Sequence, residues 1–107
     1  MRGVSGMDKS EVLDFIKRRF SIYETDGWRT GNCYWFADIL CDRFPGLEIY
    51  YLPAQGHFMA GDPIANQYWD IDGLHTYESL PERPISLYDI QTKDLTWYMR
   101  LLRDCKM

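Results

Sequence analysis

The spacing of apolar residues changes at Pro45-Gly46. Before this pair, apolar side chains recur at helical spacing over residues 33–44, and they cover so much of the helix surface that it must be largely buried. After the pair, residues 47–52 alternate in the manner of a strand. Because Pro breaks a helix and Gly favours its end, the pair separates the two elements. We therefore predict a central helix packed on a sheet.

Two further strand-like runs follow, over residues 57–61 and 67–72. The residues between them, Asp62 to Asn66, include an Asp-Pro pair and an Asn that favour a turn, which predicts an antiparallel hairpin. The segment Ile85 to Ile90 fits either a strand or one helical turn. Thr92 is then predicted to cap a final helix. The apolar stripe predicted for that helix is Leu95, Tyr98, Met99, Leu102 and Cys105.

The chain is long enough for one domain. Its 107 residues leave no room for two cores, and 46% hydrophobic and 16% aromatic residues exclude a disordered class. A helix is also expected near the N-terminus, from about Lys9 to Phe20. We predict a disordered segment over residues 1–7 and a single α+β domain over residues 8–107. Its sheet should have at least three antiparallel strands.

Charge and cysteine content exclude several classes of protein. The net charge of −4 argues against nucleic-acid binding through phosphates. No window of about 18 apolar residues predicts a membrane span, and no signal-peptide core is present, so we expect a cytoplasmic protein. Cys33, Cys41 and Cys105 form neither a disulfide framework nor a zinc motif. We expect no metal and no other cofactor.

Cys33, His57 and Asp70 are candidate catalytic residues. The thiolate is the attacking form of cysteine, and a helix N-terminus and a neighbouring imidazolium both lower the pKa of a thiol. Cys33 lies at the start of the predicted central helix, and His57 opens the second predicted strand. A carboxylate on the next strand can orient the imidazole and fix its tautomer. Together these are the parts of an activated thiol nucleophile.

The predicted hairpin leaves two candidates for the third residue. If residues 60 and 67 pair beside the turn, Asp70 lies opposite His57. If the register slips by two residues, Asp72 lies nearer to His57 instead. We expect Asp70 to be the partner of His57.

Three short motifs resemble the core of papain-like cysteine peptidases. They are Gly31-Asn32-Cys33, Gly56-His57-Phe58 and Tyr68-Trp69-Asp70-Ile71-Asp72-Gly73. The likeness is greatest to the small permuted branch that includes NlpC/P60 and CHAP amidases and transglutaminase-like domains. In that core, a Cys begins a helix packed on an antiparallel sheet, and the His and a polar residue follow on adjacent strands.

The resemblance implies Cys33 as nucleophile, His57 as general base and Asp70 as the residue that orients His57. It also implies a peptide or another amide as substrate. No Gln precedes Cys33 where papains keep an oxyanion-hole side chain, so the backbone N–H of Cys33 is the expected donor, with Asn32 and Tyr34 as candidates for the second. Trp28 and Tyr34 are predicted to contact the substrate.

Other functions fit parts of the pattern. The same triad could transfer an acyl group to an amine, as in transglutaminase-like domains, and the aromatic residues could instead line a protein-interaction surface. Asp70-Ile71-Asp72-Gly73 also matches the start of a haloacid-dehalogenase-type phosphatase, although too little chain follows it. A metal site could draw on Cys33, His57, Asp70, Asp72 and His75. We interpret His75 as a loop residue at the edge of the site or as solvated.

Overall fold

An antiparallel sheet flanked by helices forms the fold in the computed structural model, which describes residues 9–20 and 33–106. The helices are α1 (Lys9–Arg19), α2 (Cys33–Arg43), α3 (Leu87–Lys93) and α4 (Leu95–Lys106). The strands are β1 (Glu48–Leu52), β2 (His57–Asp62), β3 (Gln67–Asp70), β4 (Gly73–His75) and β5 (Ile85–Ser86). They lie in the order β4-β3-β2-β1-β5. The predicted α+β class with an antiparallel sheet is confirmed, while the predicted disordered segment, residues 1–7, lies outside the described residues.

Helix α2 is the central helix, as its apolar surface predicted. It packs chiefly against β2 and also contacts β1 and β3. Its buried residues are Cys33, Phe36, Ala37 and Leu40. The Phe44 N–H still donates to the Leu40 carbonyl, at 2.8 Å, and Gly46 then adopts a φ of +119°, which favours glycine. The helix therefore ends at the predicted Pro-Gly pair.

The two faces of the sheet bear different clusters because side chains alternate along each strand. One face packs against the helices through Tyr51, Phe58, Ala60 and Trp69. The other face carries a smaller cluster of Leu52, Met59 and Tyr68, against which Tyr50 and Leu80 pack. His57 alternates with Phe58 and belongs, by its position in β2, to this second face. No described helix is both long enough and apolar enough to cross a membrane.

Residues 76–84, the crossing segment, run from β4 at one edge of the sheet to β5 at the other. At its start, Asn66 Oδ1 accepts a hydrogen bond from the Tyr77 N–H, and Asn66 Nδ2 donates to Glu78. At its end, the Glu82 carboxylate accepts from the N–H groups of Ala54 and Gln55, at 3.0 and 2.9 Å. The segment is therefore tied to the turns on both sides of β2, and it covers the second face.

The last two helices differ from the prediction. Ile85 and Ser86 form β5, and Ser86 then caps α3 by accepting from the Asp89 N–H. The predicted cap Thr92 is wrong, because its hydroxyl donates to the Asp89 carbonyl inside α3. Asp94 instead accepts from the Trp97 N–H at 3.1 Å and begins α4.

The apolar stripe predicted for the final helix is confirmed at Tyr98 and Leu102 and wrong at Leu95 and Met99. Leu95 and Met99 are exposed, with 57% and 61% of their surface accessible. The side chains that pack on the core are Trp97, Tyr98, Leu101 and Leu102. The face of α4 that packs on the core therefore includes Trp97 and Leu101, which the prediction left out, and excludes Leu95 and Met99. The side chain of Cys105, the last member of the predicted stripe, lies outside the described part of the protein.

We expect Gly61→Ala to lower the free energy of unfolding by about 1–3 kcal/mol, because the added methyl group would overlap its neighbours. A Cβ at Gly61 would lie 2.6 Å from Tyr68 Cδ1 and 2.9 Å from Tyr50 Cδ2. The Tyr68 ring is 3% exposed and has little room to move. Urea unfolding measures the change. Ile64→Ala, in the turn of the same hairpin and 81% exposed, should stay within about 0.5 kcal/mol of the parent.

We expect Asp94→Ala to cost about 1 kcal/mol of stability, since it removes the hydrogen-bond acceptor that caps α4. Thr92→Ala is the matched control, because Thr92 does not cap α4, and it should cost less. Thermal or urea unfolding of both variants distinguishes the two caps. A larger loss for Thr92→Ala would contradict the assignment of Asp94 as the cap.

Candidate active site

Cys33 and His57 meet at one end of the sheet. Cys33 is the first residue of α2, and His57 is the first residue of β2. The pairs between β2 and β3 stop at Ala60 and Trp69, so β3 does not pair with His57. There the Cys33 thiol and the His57 ring share a hydrogen bond. The two residues predicted to act together are therefore in contact.

His57 is also bonded to Asp70, as expected, although the register that led to this expectation is wrong. Its Nε2 lies 3.0 Å from Asp70 Oδ2. Residue 60 pairs with Trp69 rather than with residue 67, so the register differs from the prediction by two residues. Asp62, which accepts from the N–H groups of Ile64 and Ala65, pairs with Gln67 and closes the turn. In this register Asp70 lies diagonally across from His57 and on the same face.

Asp72 is not the partner of His57. The observed register is the one shifted by two residues, which would set Asp72 opposite His57 if β3 continued that far. The chain turns at residues 71–72, and Asp70 pairs with Gly73 to begin β4. The side chain of Asp72 is exposed at this turn, while its N–H donates to Asp70 Oδ1 at 2.9 Å. Asp72 thus supports Asp70 through its backbone.

His75 is the residue that the sequence prediction misplaced. It lies in β4 opposite Tyr68, neither in a loop nor fully solvated, and its Nε2 is 2.9 Å from Asp70 Oδ1. The Asp72-Gly73 pair is a hairpin signal that could have predicted β4 and placed His75 on the same face as Asp70. The observed turn lies one residue earlier, at residues 71–72, so that Asp70 pairs with Gly73. Asp70 therefore lies between two imidazole rings.

The pKa values of Cys33 and His57 shift in the directions that favour an ion pair. Burial raises the pKa of the Cys33 thiol, but the hydrogen bond with His57 and backbone hydrogen bonds from Phe58 and Tyr34 lower it below its usual value. The hydrogen bonds to Asp70 and Cys33 outweigh burial and raise the pKa of His57 to about 9. Because Nε2 of His57 faces Asp70, Nδ1 is the ring nitrogen left for Cys33. This arrangement stabilises a thiolate beside an imidazolium.

Burial raises the pKa of both Asp70 and Cys41, but hydrogen-bond donors reverse this shift only at Asp70. Burial raises the pKa of Asp70, yet the hydrogen bonds from His57 and His75 bring it below its usual value. Cys41, eight residues after Cys33 on the same helix, has no such donors. Burial and the nearby charges of Asp38 and Glu48 raise its pKa to about 12. Of these two thiols, only Cys33 has a lowered pKa.

A cleft of about 330 Å³ opens on the second face, between the sheet and the crossing segment. His57, Asp70 and His75 line it, together with Leu52, Gln55, Met59, Asp72, Ser79, Leu80 and Pro81. Cys33 and Tyr34 are not among these residues. The Tyr34 ring packs edge-on against Phe58, with 5.3 Å between ring centres. Trp28 and Asn32 lie outside the described residues, so the roles predicted for Trp28, Asn32 and Tyr34 stay predictions.

Two alternative interpretations find no support in this geometry. Asp70 ends a strand of an antiparallel sheet, whereas a haloacid-dehalogenase-type phosphatase needs this motif in a doubly wound parallel one. His57 Nε2 bonds Asp70 Oδ2, and His75 Nε2 bonds Asp70 Oδ1. The two ring nitrogens are therefore engaged with the carboxylate and do not converge on a position that a metal ion could occupy. In residues 9–20 and 33–106, no group of three or more His, Cys, Asp or Glu side chains is arranged to hold a metal ion.

A family model described as phage YunG-like protein matches residues 15–106. The chain belongs to the phage YunG-like family. No curated protein and no solved structure matches it. The matched region includes Cys33, His57, Asp70 and His75, and so contains the whole candidate site.

We expect Asp70→Asn to raise the pKa of the Cys33 thiol, because loss of the carboxylate lowers the pKa of His57 by about 1–3 units and weakens the imidazolium beside the sulfur. The pH dependence of Cys33 alkylation by iodoacetamide measures this change, in a Cys41→Ala background and with the labelled residue located by mass spectrometry. Asp72→Asn is the matched control. It should leave the midpoint near the parent value, since Asp72 reaches Asp70 through its backbone. A larger shift for Asp72→Asn would contradict the assignment.

Proposed function

We propose that this protein is a cysteine hydrolase of peptide or related amide bonds that acts through an acyl-enzyme on Cys33. The observation that supports it most is the hydrogen-bonded series from Cys33 through His57 to Asp70, in which His57 Nε2 lies 3.0 Å from Asp70 Oδ2. A thiol, an imidazole and an orienting carboxylate in this order are the elements of nucleophilic catalysis by cysteine.

In the first step, the Cys33 thiolate attacks the carbonyl carbon of the amide, and a carbon–sulfur bond forms. The negative charge that develops on the carbonyl oxygen is stabilised by the positive end of the α2 dipole, at whose first residue the sulfur lies. The His57 imidazolium then gives its proton to the leaving nitrogen as the carbon–nitrogen bond breaks. An amine leaves, and a thioester on Cys33 remains.

In the second step, His57 acts as a base. It takes a proton from water while the water oxygen attacks the thioester carbonyl, and the carbon–sulfur bond breaks. The carboxylic acid product leaves, and the proton held by His57 restores the starting ion pair with Cys33. Asp70 keeps the imidazole oriented in both steps and stabilises its positive charge.

The resemblance to the small papain-like enzymes supports the same roles for Cys33, His57 and Asp70, since the order of elements agrees. Trp28 and Tyr34 are the residues that we propose to contact the substrate. A reducing compartment keeps a free thiol from oxidising to a disulfide, so we propose a cytoplasmic setting. Transfer of the acyl group to an amine would use the same first step, with the amine in place of water.

An activated ester, p-nitrophenyl acetate, tests for the acyl-enzyme. We expect the parent protein to release nitrophenolate in a rapid burst of about one per chain if deacylation is slow, with an acetyl group on Cys33 seen in the intact mass. Cys33→Ala should reduce release to the rate of buffer alone. His57→Ala should be nearly as severe, because it removes both the proton carrier and the cation that favours the thiolate.

Cys41→Ala is the matched control for Cys33→Ala, since it changes a cysteine of the same helix whose pKa is raised to about 12. It should keep the burst. Release at the parent rate by Cys33→Ala would overturn the proposal and favour an interaction module. A mixture of fluorogenic peptide amides then tests for amide hydrolysis. Added alkylamine tests for acyl transfer, which would yield a new amide in place of the acid.

A further inference from the structure

The Asp70 carboxylate is held from three directions. Oδ2 accepts from His57, and Oδ1 accepts from both the His75 ring, at 2.9 Å, and the Asp72 N–H. The Asp70 side chain is 9% exposed, that of His57 16% and that of His75 30%. His75 therefore bonds the oxygen that His57 does not use, and it does so from the side of the cleft.

We propose that His75 is a positioning residue, which fixes the Asp70 carboxylate so that Oδ2 faces His57. The inference rests on the proposed function, because it concerns the residue that orients the base. An Asp carboxylate rotates easily about its last bond, and its two oxygens are equivalent. A second donor on Oδ1 restricts this rotation. The Asp72 N–H alone would hold Oδ1 from a two-residue turn, whereas His75 holds it from a paired strand.

His75 could act on Asp70 in two ways: it lowers the pKa of the carboxyl, and it fixes the position of the carboxylate. The hydrogen bond from His75 helps to keep the pKa of Asp70 below its usual value, while the pKa of His57 is raised to about 9. Without His75, the His57 ring and the Asp72 N–H would still donate to Asp70 and favour its ionised form. The main effect of His75 is therefore on the position of the carboxylate.

Asp70 is the charged group to which His75 is hydrogen-bonded, at 2.9 Å. His75 lies opposite Tyr68 on β3, and the cleft beside it is lined by His57 on β2, Asp72 in the turn and Ser79 in the crossing segment. The titratable groups that face Asp70 are thus the two imidazoles, with Cys33 beyond His57. A change at His75 can therefore reach the Cys33 thiol through Asp70 and His57, and the pH dependence of Cys33 alkylation reports it.

The test compares His75→Leu with His75→Gln in the Cys41→Ala background. Leu removes the donor and Gln retains an N–H of similar reach. The readout is the pH profile of Cys33 alkylation by iodoacetamide. We expect His75→Leu to slow labelling below the midpoint by about three- to tenfold, as the thiol pKa rises by up to one unit, and His75→Gln to recover most of this loss. Gln55→Ala, on the wall of the same cleft, is the control and should keep the parent profile.

An unchanged profile in His75→Leu, with a shifted one in Asp70→Asn, would overturn the role of His75 and leave the proposed triad in place. Unchanged profiles in both would overturn the triad itself. If His75→Leu does not fold, NMR spectra of the parent and of Asp70→Asn replace it. The chain has only two histidines, so their ring signals can be assigned. The ring signals of His75 should move in Asp70→Asn, because Nε2 loses its carboxylate partner, and unmoved signals would overturn the proposal.

Discussion

A buried carboxylate determines how this end of the protein is built. Leaving an ionised Asp70 without partners would be costly enough to protonate it, because burial disfavours the charged form. Three donors prevent this, and they come from β2, from β4 and from the turn between β3 and β4. The hydrogen bonds that keep Asp70 ionised also join these elements. The same contacts therefore stabilise the sheet and prepare His57.

The central helix contributes the other half of the site through apolar packing. Phe36, Ala37 and Leu40 bury one side of α2 against the sheet, and this places the first residue of the helix beside the first residue of β2. Cys33 and Cys41 lie on the same helix, yet their pKa values move in opposite directions. Burial acts on both thiols, so the difference comes from the donors that surround Cys33. The position of Cys33 at the end of the sheet thus determines the direction in which its pKa moves.

The main elements and their order could be predicted because each depends on local patterns. The helical stripe of α2, the Pro-Gly stop and the alternation in β1 to β3 all lie within short stretches of chain. Asp70 was matched to His57 from a register that is wrong by two residues. A shift of two preserves the face on which a strand residue lies, so Asp70 still reaches His57 from a diagonal position. The contact between Asp70 and His57 was predicted correctly because a shift by an even number of residues leaves Asp70 on the face that carries His57.

The features that could not be predicted depend on longer-range or finer geometry. His75 is bonded to Asp70 only because a two-residue turn returns the chain at once to form β4. Helix α4 begins after Asp94 rather than after the predicted cap Thr92, because Thr92 still belongs to α3. In both cases the chain turns at a residue that the spacing of apolar side chains does not mark. Periodicity alone cannot locate such a turn.

In the proposed mechanism, acylation of Cys33 would also change His57 in the direction that the second step needs. After Asp70, the hydrogen bond with Cys33 is the largest influence that raises the pKa of His57, and the charge of Cys33 adds to it. A thioester carries no negative charge and no longer stabilises the imidazolium. The pKa of His57 should therefore fall once the acyl-enzyme has formed, while Asp70 keeps the ring in place. One imidazole can then serve first as an acid and next as a base near neutral pH, because the chemistry of the first step removes the partner that held its proton.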